Sequence, residues 1–489
     1  MTPTTCFDRL GTPVATRSSM TMSGGFLLLL VFTIACGRAA GGTTDPEVDA
    51  LRADVLAAIQ ASTCPDEPCP VVSVTPQAAP AASASRGKRI LLIDTAILVA
   101  AATRWPHALL GVLALGPDGT YAEAMPTFDM PRDALGVLSR IASFRRPVRA
   151  SELDVAVPFF GAFGSRIPGQ AFGHGMDILA SLADWIPDAQ FLVSEDLMNA
   201  PTPCDLLDAA PGDAAWAAHD AFVDRMSRSL ESAVVRYELN YVHLSWGIDQ
   251  TSLSFAFGNR CGRSPSVEVS RRYMQPYVDL FRRLTALSTP GADGAPRPVI
   301  LFQAGVIGTD ADAQLLDCTP IAGRVRVYDV AYAGTAVTTD GSHDYTLLPV
   351  NIDDLLCNDV FVVMGYTSVF DPPRRGAYFA SMPFGMGLVP SPVWPPAPSF
   401  ANPIALAHFA LLTETYPGES TDAWIDRLTA GRSRSIIDPL LHDQLEISGG
   451  RPSAWDPSLQ GWASAAPTDL ASTGLRRARA RRAPSAQSE

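Results

Sequence analysis

Lysine is almost missing from this chain. Lys88 stands alone, and all other basic side chains are arginines, which reads as a bias of genome composition and carries no function. Acidic residues outnumber basic ones 50 to 37, and no region outside the extreme C-terminus is basic, which argues against a nucleic-acid partner. Cysteine is scarce at eight in 489 residues, with no Cys-x-x-Cys pair and no His-rich tract to support a metal site. The chain has no His-Glu-x-x-His, no Gly-x-Ser-x-Gly elbow and no phosphate-binding Gly-x-x-x-x-Gly-Lys-Ser/Thr, so the common zinc-hydrolase, α/β-hydrolase and nucleotide-binding signatures are absent. Its most continuous apolar run, Phe26 to Ala35, is short for a membrane span and fits the apolar core of a signal peptide.

What is present divides the chain into four stretches. Residues 1–36 read as a targeting segment, with Arg9 and Arg17 before the apolar run and Met20 or Met22 as alternative starts. The run ends Thr33-Ile34-Ala35-Cys36-Gly37, similar to a bacterial lipobox except for Thr33, where an aliphatic residue is usual. Cys36 is thus either a lipidated mature N-terminus or an ordinary residue at a cleavage site. A lipid there is the one membrane contact this reading allows, in the envelope, and without it the chain is secreted. Cys64, Cys69, Cys204, Cys261, Cys318 and Cys357 remain, an even set that suits up to three disulfides in an oxidising compartment, with 15 pairings open. Residues 37–87 hold a short amphipathic helix, Asp45 to Gln60, and a Pro/Ala/Ser linker, Thr75 to Ser85. Residues 88–440 form the globular domain, and 441–489 a C-terminal extension with a basic, polar tail.

Inside the globular domain, unalternating apolar runs read as strands buried on both faces. They fall at Arg89 to Ile97, Tyr241 to Gly247, Val299 to Val306, Val325 to Tyr332 and Val360 to Met364. Helical stretches, Ala214 to Glu238 and Val267 to Leu287, alternate with them. This pattern predicts an α/β fold with a mostly parallel sheet and helices on both faces. Ile404 to Leu412 has one polar residue, His408, and predicts a helix buried on nearly all sides. Pro403 should lie in that helix's first turn, with Ser399 just ahead of it. Ser399 alone would be an N-cap, and Asp94 at a strand end would cap the following turn.

Three segments together give these residues another meaning. Ile93-Asp94-Thr95-Ala96, Gly173-His174-Gly175-Met176 and Pro398-Ser399-Phe400-Ala401-Asn402-Pro403 resemble, in order, the Asp, His and Ser motifs of subtilisin-like serine proteases. The resemblance covers roughly residues 89 to 435, with wider separations than are typical of the family. It implies a three-layer sandwich around a mostly parallel sheet, and a serine endopeptidase acting through Asp94, His174 and Ser399. Ser245, Trp246 and Gly247 would border the substrate cleft, with Trp246 narrowing a pocket. No cofactor is required by the resemblance, though it admits structural calcium, and the implied partner is a protein or peptide substrate.

Two departures bear on activity. The family's oxyanion-binding Asn is replaced by Val306, and Pro398 replaces the Thr before the nucleophile. Losing one such donor costs on the order of 10²–10³ in rate. Gln303 or Asn402 could present an amide from another direction. Two functions therefore stand: a slow or rearranged serine endopeptidase, and an inactive envelope protein that binds peptides or serves as a scaffold.

Overall fold

The computed structural model describes residues 46–61, 70–95, 97–103, 105–136, 174–195, 203–245, 247, 250–305, 321–337, 343–348, 358–368, 377–381, 388–391, 398–420, 423–424 and 436–437, within one compact unit beginning at Thr43. Seven strands build its centre: β1 (Arg89–Ile93), β2 (Leu109–Leu115), β3 (Gln190–Ser194), β4 (Tyr241–Leu244), β5 (Ile300–Ala304), β6 (Arg324–Val337) and β7 (Val360–Ser368). They pair in parallel in the order β2-β3-β1-β4-β5-β6-β7. Antiparallel strands extend this sheet: Tyr121–Glu123 beside β2, His343–Leu348 beside β6, and Ala377–Ser381 with Leu388–Ser391 beyond β7. Among the described residues the main helices are α1 (Pro46–Ala61), α2 (Leu98–Thr103), α3 (His174–Trp185), α4 (Ala214–Arg236), α5 (Gln250–Cys261), α6 (Val267–Thr285) and α7 (Pro398–Thr415).

Alternating positions along each central strand feed two different layers. Leu91, Ile93, Val242, Leu244 and Leu301 face α4 and α6, where they meet Leu230, Val234, Met274 and Phe281 in one core. The opposite face carries a row of register partners, Leu92, His243, Phe302 and Val325. There the ring of Phe409 on α7 lies 5.3 Å from Phe302 and 6.4 Å from Tyr241. Helix α3 packs beside α7 in the same layer. Buried strands covered on both faces match the pattern read from the sequence.

At the amino ends of the strands, Lys88 is only 5% exposed and ion-pairs with both Asp188 and Glu414, joining the starts of β1 and β3 to the end of α7. Burial works against its charge, but the two carboxylates outweigh burial and hold its pKa above the ordinary value. Cys204 and Cys261 form a disulfide with Cα atoms 5.5 Å apart, tying α5 to the turn before α4. The other four cysteines of the globular chain lie outside the described residues.

The start of α7 differs from expectation. Helix α7 begins at Pro398, so Ser399 lies within its first turn and Pro403 falls inside the helix. Pro403 has no N–H to give, so the carbonyl of Ser399, four residues back, lacks its helical partner. Pro390 lies on the strand Leu388–Ser391, which among the described residues pairs on one side only, where a missing donor costs least. The stretch Ser288 to Pro298 is a small antiparallel hairpin, Ser288–Pro290 with Pro296–Pro298.

Candidate active site

The carboxyl end of β1 meets the start of α3 at the centre of the sheet. Chain order reverses here, since β1 lies between β3 and β4 while β2 lies outside β3. Parallel sheets place ligand crevices at the carboxyl ends of strands beside such reversals. Asp94 follows Ile93, its backbone N–H donating to the Ser194 carbonyl at 3.0 Å, and its side chain is on the α7 face. Thr95 N–H donates to Asp94 Oδ1 at 2.6 Å.

His174 is the first residue of α3. Its Nδ1 lies 2.8 Å from Asp94 Oδ1 and 3.0 Å from Oδ2. A carboxylate can only accept, so Nδ1 donates and the other ring nitrogen, Nε2, is left basic in the neutral ring. Gly175 permits this approach. Its N–H donates to the Thr95 carbonyl at 2.8 Å, and a Cβ there would stand 2.4 Å from that oxygen and 3.0 Å from Asp94 Cβ. The cap of α2 comes from Glu195, whose Oε1 accepts from Ile97 N–H at 2.6 Å and Leu98 N–H at 2.8 Å. Asp94 therefore serves His174 and its own turn, and leaves the next helix to another carboxylate.

Electrostatics follow from burial. Asp94 is 4% exposed, and burial alone would raise its pKa, yet the hydrogen bond and charge of His174 pull it below the ordinary value. Ser245 and Thr95 add to that pull. The buried Ser245 hydroxyl has no hydrogen bond of regular geometry and acts by proximity. His174 is 34% exposed on its side chain, open enough for a substrate to reach.

Ser399 arrives on the first turn of α7, where backbone N–H groups are unclaimed by the helix ladder. The adjacent Phe400 ring lies 5.1 Å from the His174 ring, bringing the start of α7 against the Asp–His pair. Ser245 and Gly247 lie at the end of β4, while Trp246, Val306 and Cys36 fall outside the described residues. Neither amide considered as a substitute donor is placed for it. Gln303 points to the α6 side of the sheet, where its Oε1 accepts from Arg324 at 3.3 Å. Asn402 is fully buried, and its Nδ2 donates to the carbonyls of Leu244 at 3.0 Å and Phe302 at 3.4 Å.

Two buried titratable groups near the site escaped the sequence reading, because isolated ionisable residues within apolar strands give no spacing signal. His243 is 0% exposed in the row beneath Asp94, its ring nitrogens have no hydrogen-bond partner, and burial pushes its pKa down to about 3. Asp329 on β6 faces α7 two residues beyond Val327, the partner of Ala304, and burial pushes it up to about 7. Its Oδ1 is buried without a hydrogen bond. Among the described residues no group of His, Cys, Asp and Glu gathers to hold a metal, and no helix is long and apolar enough to cross a membrane.

No protein-family model and no curated protein matches this chain. Among solved structures it is similar to a lanthipeptide protease, at 13% identity and TM-score 0.31 over 70% of this chain and 81% of that one. It is also similar to the MycP3 protease of the type VII (ESX-3) secretion system, at 12% identity and TM-score 0.27 over 81% and 85% of the two chains. Neither likeness is close enough to place the chain in a family.

Proposed function

We propose that this chain is an exported serine peptidase of the subtilisin-like kind. The observation carrying the reading is the bond between His174 Nδ1 and the buried Asp94 carboxylate, at the carboxyl edge of a parallel sheet, with the first turn of α7 beside it. Ser399 Oγ attacks a peptide carbonyl carbon, and His174 Nε2 takes its proton. The tetrahedral intermediate then collapses, the C–N bond breaks, and His174 returns the proton to the leaving amine. Asp94 holds the ring in the working tautomer and balances the imidazolium formed on the way. Water, deprotonated by the same His174, releases the acyl group.

Oxyanion stabilisation is the weak part of the design. The N–H of Ser399 is available, since Pro398 removes only its own. The Asn402 amide is committed to two strand carbonyls, Gln303 points to the other face of the sheet, and Val306 offers no donor side chain. Such a site is expected to be slow, by on the order of 10²–10³ relative to one with a full pair of donors. The same commitment favours a second reading, a peptide-binding relative without turnover. Labelling by a fluorophosphonate probe separates the two, because it needs an activated serine and no particular substrate. Labelling of wild type that is lost in Ser399→Ala supports the peptidase, and a wild type that stays unlabelled leaves the binding reading. Peptide substrates, a lipid on Cys36 and an envelope or secreted location belong to the same proposal.

A further inference from the structure

Asn402 is a costly choice for its position. It sits among Ala401, Pro403, Ile404, Ala405 and Leu406, all buried, and is itself 0% exposed. A buried amide is costly for each group left unpaired, and Asn402 Oδ1 has no hydrogen-bond partner. An apolar residue would fill the space more cheaply. What the amide gains is contact with two strands at once, through the carbonyls of Leu244 and Phe302.

Those carbonyls matter by position. Leu244 ends β4 and is followed by Ser245, whose hydroxyl favours the Asp94 carboxylate. Phe302 lies on β5, the strand leading to Gly305. Asn402 is three residues from Ser399, a rise of about 4.5 Å along the helix. The first turn of α7 also lacks an internal constraint, because Pro403 provides no N–H for the Ser399 carbonyl. A tertiary bond one residue before that missing rung can replace the lost stiffness.

We propose that Asn402 is the positioning residue for Ser399: its side-chain amide clamps the first turn of α7 to β4 and β5, holding the serine against the Asp94–His174 pair. This inference rests on the serine-peptidase reading and deepens it. It gives Asn402 a structural duty toward the nucleophile in place of a direct bond to the oxyanion.

The test compares Asn402→Leu, near in size with no donor, and Asn402→Asp, near in shape with one donor only while protonated. Second-order fluorophosphonate labelling is measured per folded molecule, with folding followed by circular dichroism. Asn402→Leu should label roughly 10–10²-fold more slowly, the scale of a misplacement near 1 Å, with KM for a peptide substrate little changed and kcat reduced. Asn402→Asp should recover part of the rate at neutral pH and lose it as pH rises and its carboxyl ionises, giving a bell-shaped profile where wild type reaches a plateau. Wild-type labelling by Asn402→Leu with only a lower melting temperature would reduce Asn402 to a core residue and overturn the inference. The same rate loss in both variants with no added pH dependence would also overturn it. Failure of wild type itself to label is the distinct result that removes the peptidase reading, and the positioning role falls with it.

Discussion

Gly175 is held against the turn it faces by contacts that leave no space for a side chain. A methyl group there would press on the Thr95 carbonyl oxygen at 2.4 Å and on Ile97 Cγ1 at 2.4 Å, both firmly held. Gly175→Ala should therefore push the start of α3 outward, stretch the Asp94–His174 bond, and destabilise the fold by about 1–3 kcal/mol, as overpacking does. Probe labelling of Ser399 should fall by on the order of 10²-fold, the usual cost of a small misplacement at a reacting centre. Labelling at the wild-type rate would show that the helix start can yield without moving the histidine. Composition and spacing could mark a Gly-His-Gly frame as unusual. Only the structure supplies the reason for its second glycine, because that reason is an oxygen 80 residues away in the chain.

At the scale of elements, one carboxylate prepares the ground for another. Glu195, just past β3, accepts from the two N–H groups at the start of α2 and fixes the chain leaving Asp94 and Thr95. Glu195→Ala should lower stability by about 1 kcal/mol, in the range of a lost helix cap. Glu195→Gln, which keeps an acceptor, should restore most of the loss in a thermal melt. Equal losses in both would show that the charge at the helix start matters more than the hydrogen bonds.

Which elements could be read in advance follows from what makes each of them form. Strand β1 carries an apolar run after Arg89, and β4 and β5 carry apolar runs broken only by His243 and Gln303, while α4 and α6 carry long helical periods. Strand β2 is different. Its sequence, Leu-Leu-Gly-Val-Leu-Ala-Leu, has one β-branched residue and a glycine, so it declares no state until it pairs with β3. Gly111 leaves little room beside it, with Leu192 Cδ1 and the Tyr237 hydroxyl each 3.3 Å from where its Cβ would be. The added antiparallel strands His343–Leu348 and Ala377–Ser381 are short and mixed in polarity, and partner strands rather than local preference settle them. Of the site, Asp94 and His174 were legible and the structure brings them together. Asn402 and Gln303 were legible as amides but not in direction, because a helix and a strand each choose which way a side chain faces.

For the whole molecule, two buried groups set opposing responses to pH. His243 has a folded pKa of about 3, below its unfolded value of 6.5, so its contribution is complete above 6.5 and is lost as pH falls toward 3. Asp329 has a folded pKa of about 7, above its unfolded 3.8, so its contribution is complete below 3.8 and is lost as pH rises through 7. Within its window each contributes up to about 1.4 kcal/mol per pH unit. Between pH 4 and 6.5 the two slopes offset one another. Asp329→Asn should expose the His243 slope, making denaturant midpoints climb with pH over that interval and exceed wild type above pH 7. His243→Phe should expose the reverse slope. Midpoints that keep the wild-type pH dependence in both variants would mean neither group carries the assigned shift.

Lys88, locked between Asp188 and Glu414, has a practical consequence for anyone handling the protein. Acylating reagents consume a neutral, reachable amine, and the sole lysine of this chain is charged and hidden while the fold is intact. Once the chain opens, that amine becomes ordinary. The acylated fraction at Lys88, read by mass spectrometry, should then count unfolded molecules directly and rise in step with loss of the far-ultraviolet helix signal. The native protein needs no added tag to report its own opening, and it should resist coupling to amine-activated supports through any side chain.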